Sequence, residues 1–150
     1  MSYKELATRY FEAVWSARFD PDQVRELSAP SLVFRYPMHG EFHGPDAVIE
    51  MLSSFRESLP DLEFWTTDEL LEDGDHVIAR WEGGGTHTGK AIIELPHGGP
   101  VPAGSGRKMF FSGISILKFQ DGKVVEDVGQ EGAIDAHLQL HAVVPNAPAS

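Results

Sequence analysis

The chain has 150 residues, with 12 Lys and Arg against 23 Asp and Glu, a formal charge of −11 and no cysteine. At ~100–200 residues per domain the expectation is a single domain, and 41% hydrophobic with 23% charged residues is a globular composition. The acidic balance argues against nucleic acid and anionic membrane surfaces as partners. The absence of thiols excludes disulfides, thiolate catalysis, Fe–S clusters and Cys-based zinc sites. There is no run of ~18 apolar residues to make a transmembrane helix. The opening MSYKELATRYFEAVW lacks the apolar centre of a signal peptide, so a cytoplasmic protein is the simplest reading.

In chain order, Tyr3, Leu6, Ala7, Tyr10, Phe11, Val14 and Trp15 recur at spacings of three and four and predict an amphipathic helix that Ser2 can cap. Asp20-Pro21 opens a short second helix with Val24 and Leu27 inward, and Pro30 closes it. Ser31 to Tyr36 reads as a strand broken by Pro37, and Gly40 to His43 as its short partner. Gly44-Pro45 begins a third helix with an Ala47, Val48, Met51, Leu52, Phe55 stripe, ended by Pro60.

Beyond Pro60 the pattern becomes β-branched and aromatic. Leu62 to Thr67 and His76 to Glu82 read as strands, with a turn at Asp73-Gly74-Asp75 and a bend or bulge at Gly83-Gly84-Gly85. Leu95 to Gly106 reads as a loop. Lys108 to Phe119 and Lys123 to Gln130 are strands joined by Gln120-Asp121-Gly122. Glu131 to His141 predicts a closing helix, and residues 143–150 a frayed tail outside a domain of residues 1–142. Helices followed by a strand meander give an α+β fold, with helices packed on one face of a curved sheet.

The motifs Gly85-Thr86-His87-Thr88-Gly89, Gly106-Arg107-Lys108-Met109-Phe110-Phe111-Ser112-Gly113-Ile114, Phe119-Gln120-Asp121-Gly122-Lys123-Val124-Val125-Glu126 and Leu138-Gln139-Leu140 resemble the SnoaL-like polyketide cyclases and ester cyclases. These lie within the nuclear transport factor 2-like, ketosteroid isomerase-like superfamily. The resemblance implies a cone-shaped, curved antiparallel (mixed) sheet with the N-terminal helices on its concave face, enclosing one apolar pocket. It also implies a homodimer paired through the outer sheet face. Two positions depart from the family: Val128 stands where a Trp is common, and Gly132 where an Asp precedes the last helix, with Glu131 the nearest acid. Relative to ketosteroid isomerase, the position of the catalytic base before a Pro is Tyr36, and that of the second acid falls near Ser115.

An apolar pocket raises carboxyl pKa values and suits proton abstraction next to a carbonyl. Glu131 and His87 are the candidate proton carriers. Their plainer readings are a helix N-terminal Glu and a turn histidine bonded to backbone. Strand alternation allows only one of Gln130 and Glu131 to face inward, and the sequence leaves that fork open. Tyr36, Arg80, Gln130 and His39 are candidate substrate-orienting groups; Tyr36 also fits a half-buried strand end, Arg80 a surface ion pair, and His39 an exposed turn. Trp15, Phe55, Trp65, Met109 and Phe111 are candidate cavity walls or plain core. His137 and His141 share a face of the last predicted helix but have no third ligand in reach, so no metal site is expected.

Three functions compete on these residues. One is a cofactor-free enzyme acting on a small hydrophobic carbonyl compound by cyclase-like or isomerase-like chemistry. The second is a non-catalytic binder of such a molecule, and the third an interaction protein whose cone is filled by its own side chains.

Overall fold

Ser2 starts the first helix in the computed structural model, which describes residues 1–142; the tail expected at 143–150 lies outside them. The Ser2 hydroxyl accepts from the Glu5 amide at 3.2 Å and the Glu5 carboxylate accepts from the Ser2 amide at 2.8 Å, a capping box that fixes the start of α1 (Tyr3–Trp15). α2 (Pro21–Leu27) is capped by Asp20 and buries Val24 and Leu27.

β1 (Ser28–Tyr36) begins earlier than expected and runs through Pro30. Pro30 is exposed and falls where the register shifts between Ser28 and Val33, so its missing N–H removes no ladder bond there. β2 (Gly40–His43), α3 (Pro45–Ser58) and β3 (Glu63–Thr66) follow. A three-residue strand not evident in the sequence, β4 (Leu71–Asp73), completes the hairpin with β5 (His76–Thr86). β5 stays paired through its glycines because a side chain has no room there: a Cβ on Gly84 would lie 1.8 Å from the Met109 carbonyl oxygen. β6 (Lys108–Gln120) and β7 (Lys123–Glu131) lead to α4 (Ala133–Leu140). Glu131 is therefore the last residue of β7, paired with Gly113, rather than the first of the closing helix.

The sheet order is β2-β1-β7-β6-β5-β3, with β4 beside β5. β1 and β7 are parallel and the other pairs antiparallel. The result is an α+β fold with a curved, unclosed mixed sheet. Its core joins α1, α2 and α3 to the inward positions of the long strands. Aromatic rings fill the centre: Trp15 lies 5.6 Å from Tyr36 and 5.4 Å from Phe64, and Phe64 lies 5.2 Å from Trp81 and 5.3 Å from Phe111. No helix among the described residues is long and apolar enough to cross a membrane.

Candidate active site

Strand alternation on β7 sends Asp127, Gly129 and Glu131 towards the interior and leaves Gln130 exposed. Asp127 is fully buried. It accepts from the Tyr36 hydroxyl at 2.5 Å and from the Tyr10 hydroxyl at 2.9 Å. Tyr36 is also 2.6 Å from the Ser115 hydroxyl, which accepts from the Trp81 indole N–H at 2.8 Å. An indole only donates and a carboxylate only accepts. While Asp127 is ionised, the protons therefore run one way: Trp81 to Ser115, Ser115 to Tyr36, Tyr36 to Asp127. Burial pushes the Asp127 carboxyl up to about 6 against the pull of its two phenol donors. Burial and the neighbouring carboxylate hold both phenols well above their ordinary range. The Tyr36 proton is thus held inside the network while Asp127 is ionised.

Glu131 is in a different position. Its Oε1 accepts from the Met38 amide at 2.5 Å, which brings the carboxyl to the turn that carries His39. Burial pushes Glu131 up to about 7, with the Met38 amide opposing the rise. His39 is half-buried, its ring 4.9 Å from Phe55 and 6.3 Å from Trp15, and none of the side-chain hydrogen bonds among the described residues reaches it. Burial, and to a smaller degree His137, pushes it down to about 4, so it is a neutral imidazole at physiological pH.

His39 lies at a groove of about 530 Å³. Met51, Ser54 and Phe55 of α3 form one wall and residues 90–94 the other. The groove mixes Phe42, Met51, Phe55 and Ile92 with Glu50, Ser54, Lys90 and Glu94, and is of the size that binds small molecules.

The structure brings some of the sequence candidates together and separates others. Glu131, His39, Phe55, Trp15 and Tyr36 gather around the turn that follows β1. Phe111 and Met109 are buried core, with Phe111 packed on Phe64 and Trp81. Arg80 is exposed and pairs with Asp68 at 3.2 Å, and Gln130 is exposed on the same face; both line, with Trp81 and Glu131, a cleft of about 570 Å³ separate from the His39 groove. Trp65 is 43% exposed and packs on Phe110 outside, because in β3 the inward position belongs to Phe64. His87 is fully buried, but both ring nitrogens are bonded within its own connection, to Ser105 and to the Lys90 carbonyl. No group of three or more His, Cys, Asp or Glu that could hold a metal ion occurs among the described residues.

Sequence reasoning missed Asp127. The signal was alternation: once Glu131 faces inward, Asp127 four residues earlier does too. Tyr10 was legible only as part of the helix stripe. Tyr36 and Ser115 are bonded to each other.

A family model for SnoaL-like polyketide cyclases matches residues 5–140. No curated protein matches the chain significantly in sequence. Among solved structures, a protein from Jannaschia sp. CCS1 assigned as a SnoaL-like polyketide cyclase is 21% identical with a TM-score of 0.76, covering 95% of this chain and 92% of that one. IdmH from Streptomyces antibioticus, assigned as a polyketide cyclase, is 21% identical with a TM-score of 0.72, covering 93% and 99%. An NTF2-like protein of unknown function from Burkholderia pseudomallei K96243 is 18% identical with a TM-score of 0.70, covering 95% and 100%. These likenesses show a common fold, and the family match runs from the first helix to the last. The chain belongs to the SnoaL-like polyketide cyclase family.

Proposed function

We propose that the protein is a cofactor-free enzyme that removes a proton next to the carbonyl of a small hydrophobic compound and completes an aldol ring closure or an isomerisation. Family membership supports a cyclase-type role in general. The observation that carries the finer reading is Glu131, a carboxyl pushed up to about 7 and bonded to the Met38 amide, one residue from a neutral His39; Glu131 opens on a cleft of about 570 Å³ beside Trp81 and Gln130, and His39 on the groove beside α3. A group titrating near the working pH serves as both base and acid. In the step proposed, the Glu131 carboxylate takes the α-proton and the C–H electron pair moves into the enolate. A substrate that reaches across the Met38 turn from the Glu131 cleft to the groove places its enolate oxygen at the neutral His39 N–H, which donates to it in the manner of a neutral imidazole electrophile. In ring closure, the enolate carbon attacks a second carbonyl of the same molecule and the new alkoxide recovers the proton from Glu131. In isomerisation, Glu131 returns it at another carbon.

The test is deuterium uptake at the α-carbons of 2-tetralone in D2O, followed by NMR. The reading expects uptake above buffer that Glu131→Gln removes. Uptake equal in wild type and variant contradicts it.

The convex face supports a homodimer. Ile116 stands opposite Ile78 and Val128 there, and Phe110, Ile114 and Ile116 are 45–52% exposed. A single domain over residues 1–142 and a cytoplasmic location complete the reading. A non-catalytic binder is the alternative, with the groove beside α3 as the place for a ligand, and the aromatic filling of the cone is the feature that favours the third reading, an interaction protein.

A further inference from the structure

The wall of the groove opposite α3 belongs to the long connection between β5 and β6, and the motif Gly85-Thr86-His87-Thr88-Gly89 is where that connection leaves the sheet. The motif is seated on the end of α3. The Thr86 amide donates to Asp61 Oδ1 at 2.7 Å, the Gly89 amide to the Ser58 carbonyl at 3.0 Å and the Lys90 amide to the Glu57 carbonyl at 3.2 Å. Gly89 sits so close that a Cβ there would lie 1.7 Å from the Glu57 carbonyl oxygen. Lys90 Nζ adds Ser54 and Glu57 of α3, each at 2.9 Å.

The connection then returns beside itself. Ile92 and Val101 exchange both backbone bonds, and the Gly104 and Gly106 amides donate to the Gly89 and His87 carbonyls. His87 lies inside this closure with no exposed surface. Its Nε2 is 2.6 Å from the Lys90 carbonyl and its Nδ1 2.7 Å from the Ser105 hydroxyl. A carbonyl only accepts, so Nε2 carries the proton; in the neutral ring Nδ1 then accepts from Ser105.

We infer that His87 is a positioning residue for the groove: its two hydrogen bonds clip the outgoing segment of the connection at Lys90 to its returning segment at Ser105 and so hold the Lys90–Glu94 wall against α3. The inference rests on the proposed function only in taking the groove as the ligand site. The imidazole acts through its hydrogen bonds and moves no proton in the reaction.

The experiment compares wild type with His87→Gln, whose amide supplies one donor and one acceptor and no titratable group, and with His87→Ala and Ser105→Ala. Amide hydrogen exchange at Gly89, Lys90 and Ile92 is read by mass spectrometry, and 2-naphthol, a neutral aromatic probe, is titrated by fluorescence. The expected result is exchange faster by roughly tenfold or more in His87→Ala, a smaller rise in Ser105→Ala, and recovery in His87→Gln. Naphthol affinity follows the same order. Exchange unchanged in His87→Ala, or a Gln variant as defective as Ala, overturns the clip. Because the Ala variant can fail to fold, the wild-type ring is also read by ¹⁵N NMR at pH 8: a proton on Nε2 is expected, and a proton on Nδ1 alone overturns the assignment. Wild type that leaves naphthol unbound contradicts the groove as a ligand site, whereas the exchange and NMR results decide the clip independently.

Discussion

The ring of Tyr36 lies on the backbone of Gly129: a Cβ at Gly129 would stand 2.0 Å from Tyr36 Cε1 and 2.6 Å from Cδ1. The phenol is thereby seated across β7 between the two inward carboxyls of that strand, with its hydroxyl on Asp127. Gly113 on β6 does the same for Trp81, where a Cβ would fall 2.4 Å from Cζ2. Two missing side chains therefore let two large rings lie flat on the sheet and meet at Ser115. Gly129→Ala is expected to destabilise the fold by about 1–3 kcal/mol or more through overpacking. Urea denaturation checks this, and a midpoint equal to wild type contradicts the seat.

Tyr36→Phe removes one donor from Asp127 and leaves its carboxylate half-satisfied. The expected loss is about 1–3 kcal/mol at pH 8, where Asp127 is ionised. At pH 5 the carboxyl is protonated and the loss is smaller. Urea titrations at the two pH values measure the difference, and equal losses speak against an ionised Asp127 as the acceptor.

The pH dependence of stability has a definite sign. Asp127 and Glu131 titrate at about 6 and about 7 in the folded protein, above their ordinary values of 3.8 and 4.5. Between the unfolded and folded values the native state holds more protons than the unfolded state, so stability falls as pH rises. The stability that protonation provides is fully present below about pH 4 and is lost as pH passes through 6 to 7. Other carboxylates contribute to the whole curve, so the informative quantity is the difference between wild type and Glu131→Gln. Thermal melts from pH 4 to 8 should show a shallower decline in the variant; parallel curves contradict the raised carboxyl.

Loss of the proposed base should separate chemistry from binding. Glu131→Gln is expected to lower α-proton exchange of 2-tetralone by ~10²–10⁴-fold while leaving 2-naphthol affinity within a few-fold of wild type. In wild type the exchange rate should rise with pH through about 7, as the carboxylate forms. A rate independent of pH across that range points to another base.

The convex face gives a prediction of its own. Ile116 stands between Ile78 on one side and Val128 on the other, with nearly half of its surface exposed. Ile116→Glu places a charge at the centre of that patch and should convert a dimer to a monomer in size-exclusion chromatography with light scattering. A wild-type protein that is already monomeric contradicts the homodimer.

The helices and long strands were legible because periodicity, caps and turn residues all agreed: Ser2 with Glu5, Asp20 with Pro21, and Asp121-Gly122 between two strands. Pro30 misled because a proline breaks a central ladder but is harmless at a register shift. Glu131 was legible as a candidate, yet the fork with Gln130 needed the end of β7 fixed, and one residue of register reverses every side chain. Asp127 was hidden for the same reason. His87 drew notice as a histidine in a motif, and only its partners distinguish a clip from a proton carrier. His39 had no sequence signal beyond its place after Pro37; tertiary packing on Trp15 and Phe55 makes it a neutral, half-buried ring.

The most direct test of the account is the titration of the Glu131 carboxyl itself, followed by ¹³C NMR of its Cδ and assigned by the signal that disappears in Glu131→Gln. The account predicts a midpoint near 7 in the native protein. A midpoint near the ordinary 4.5 would mean a solvated carboxyl with no poised proton, and would contradict an acid/base role for Glu131.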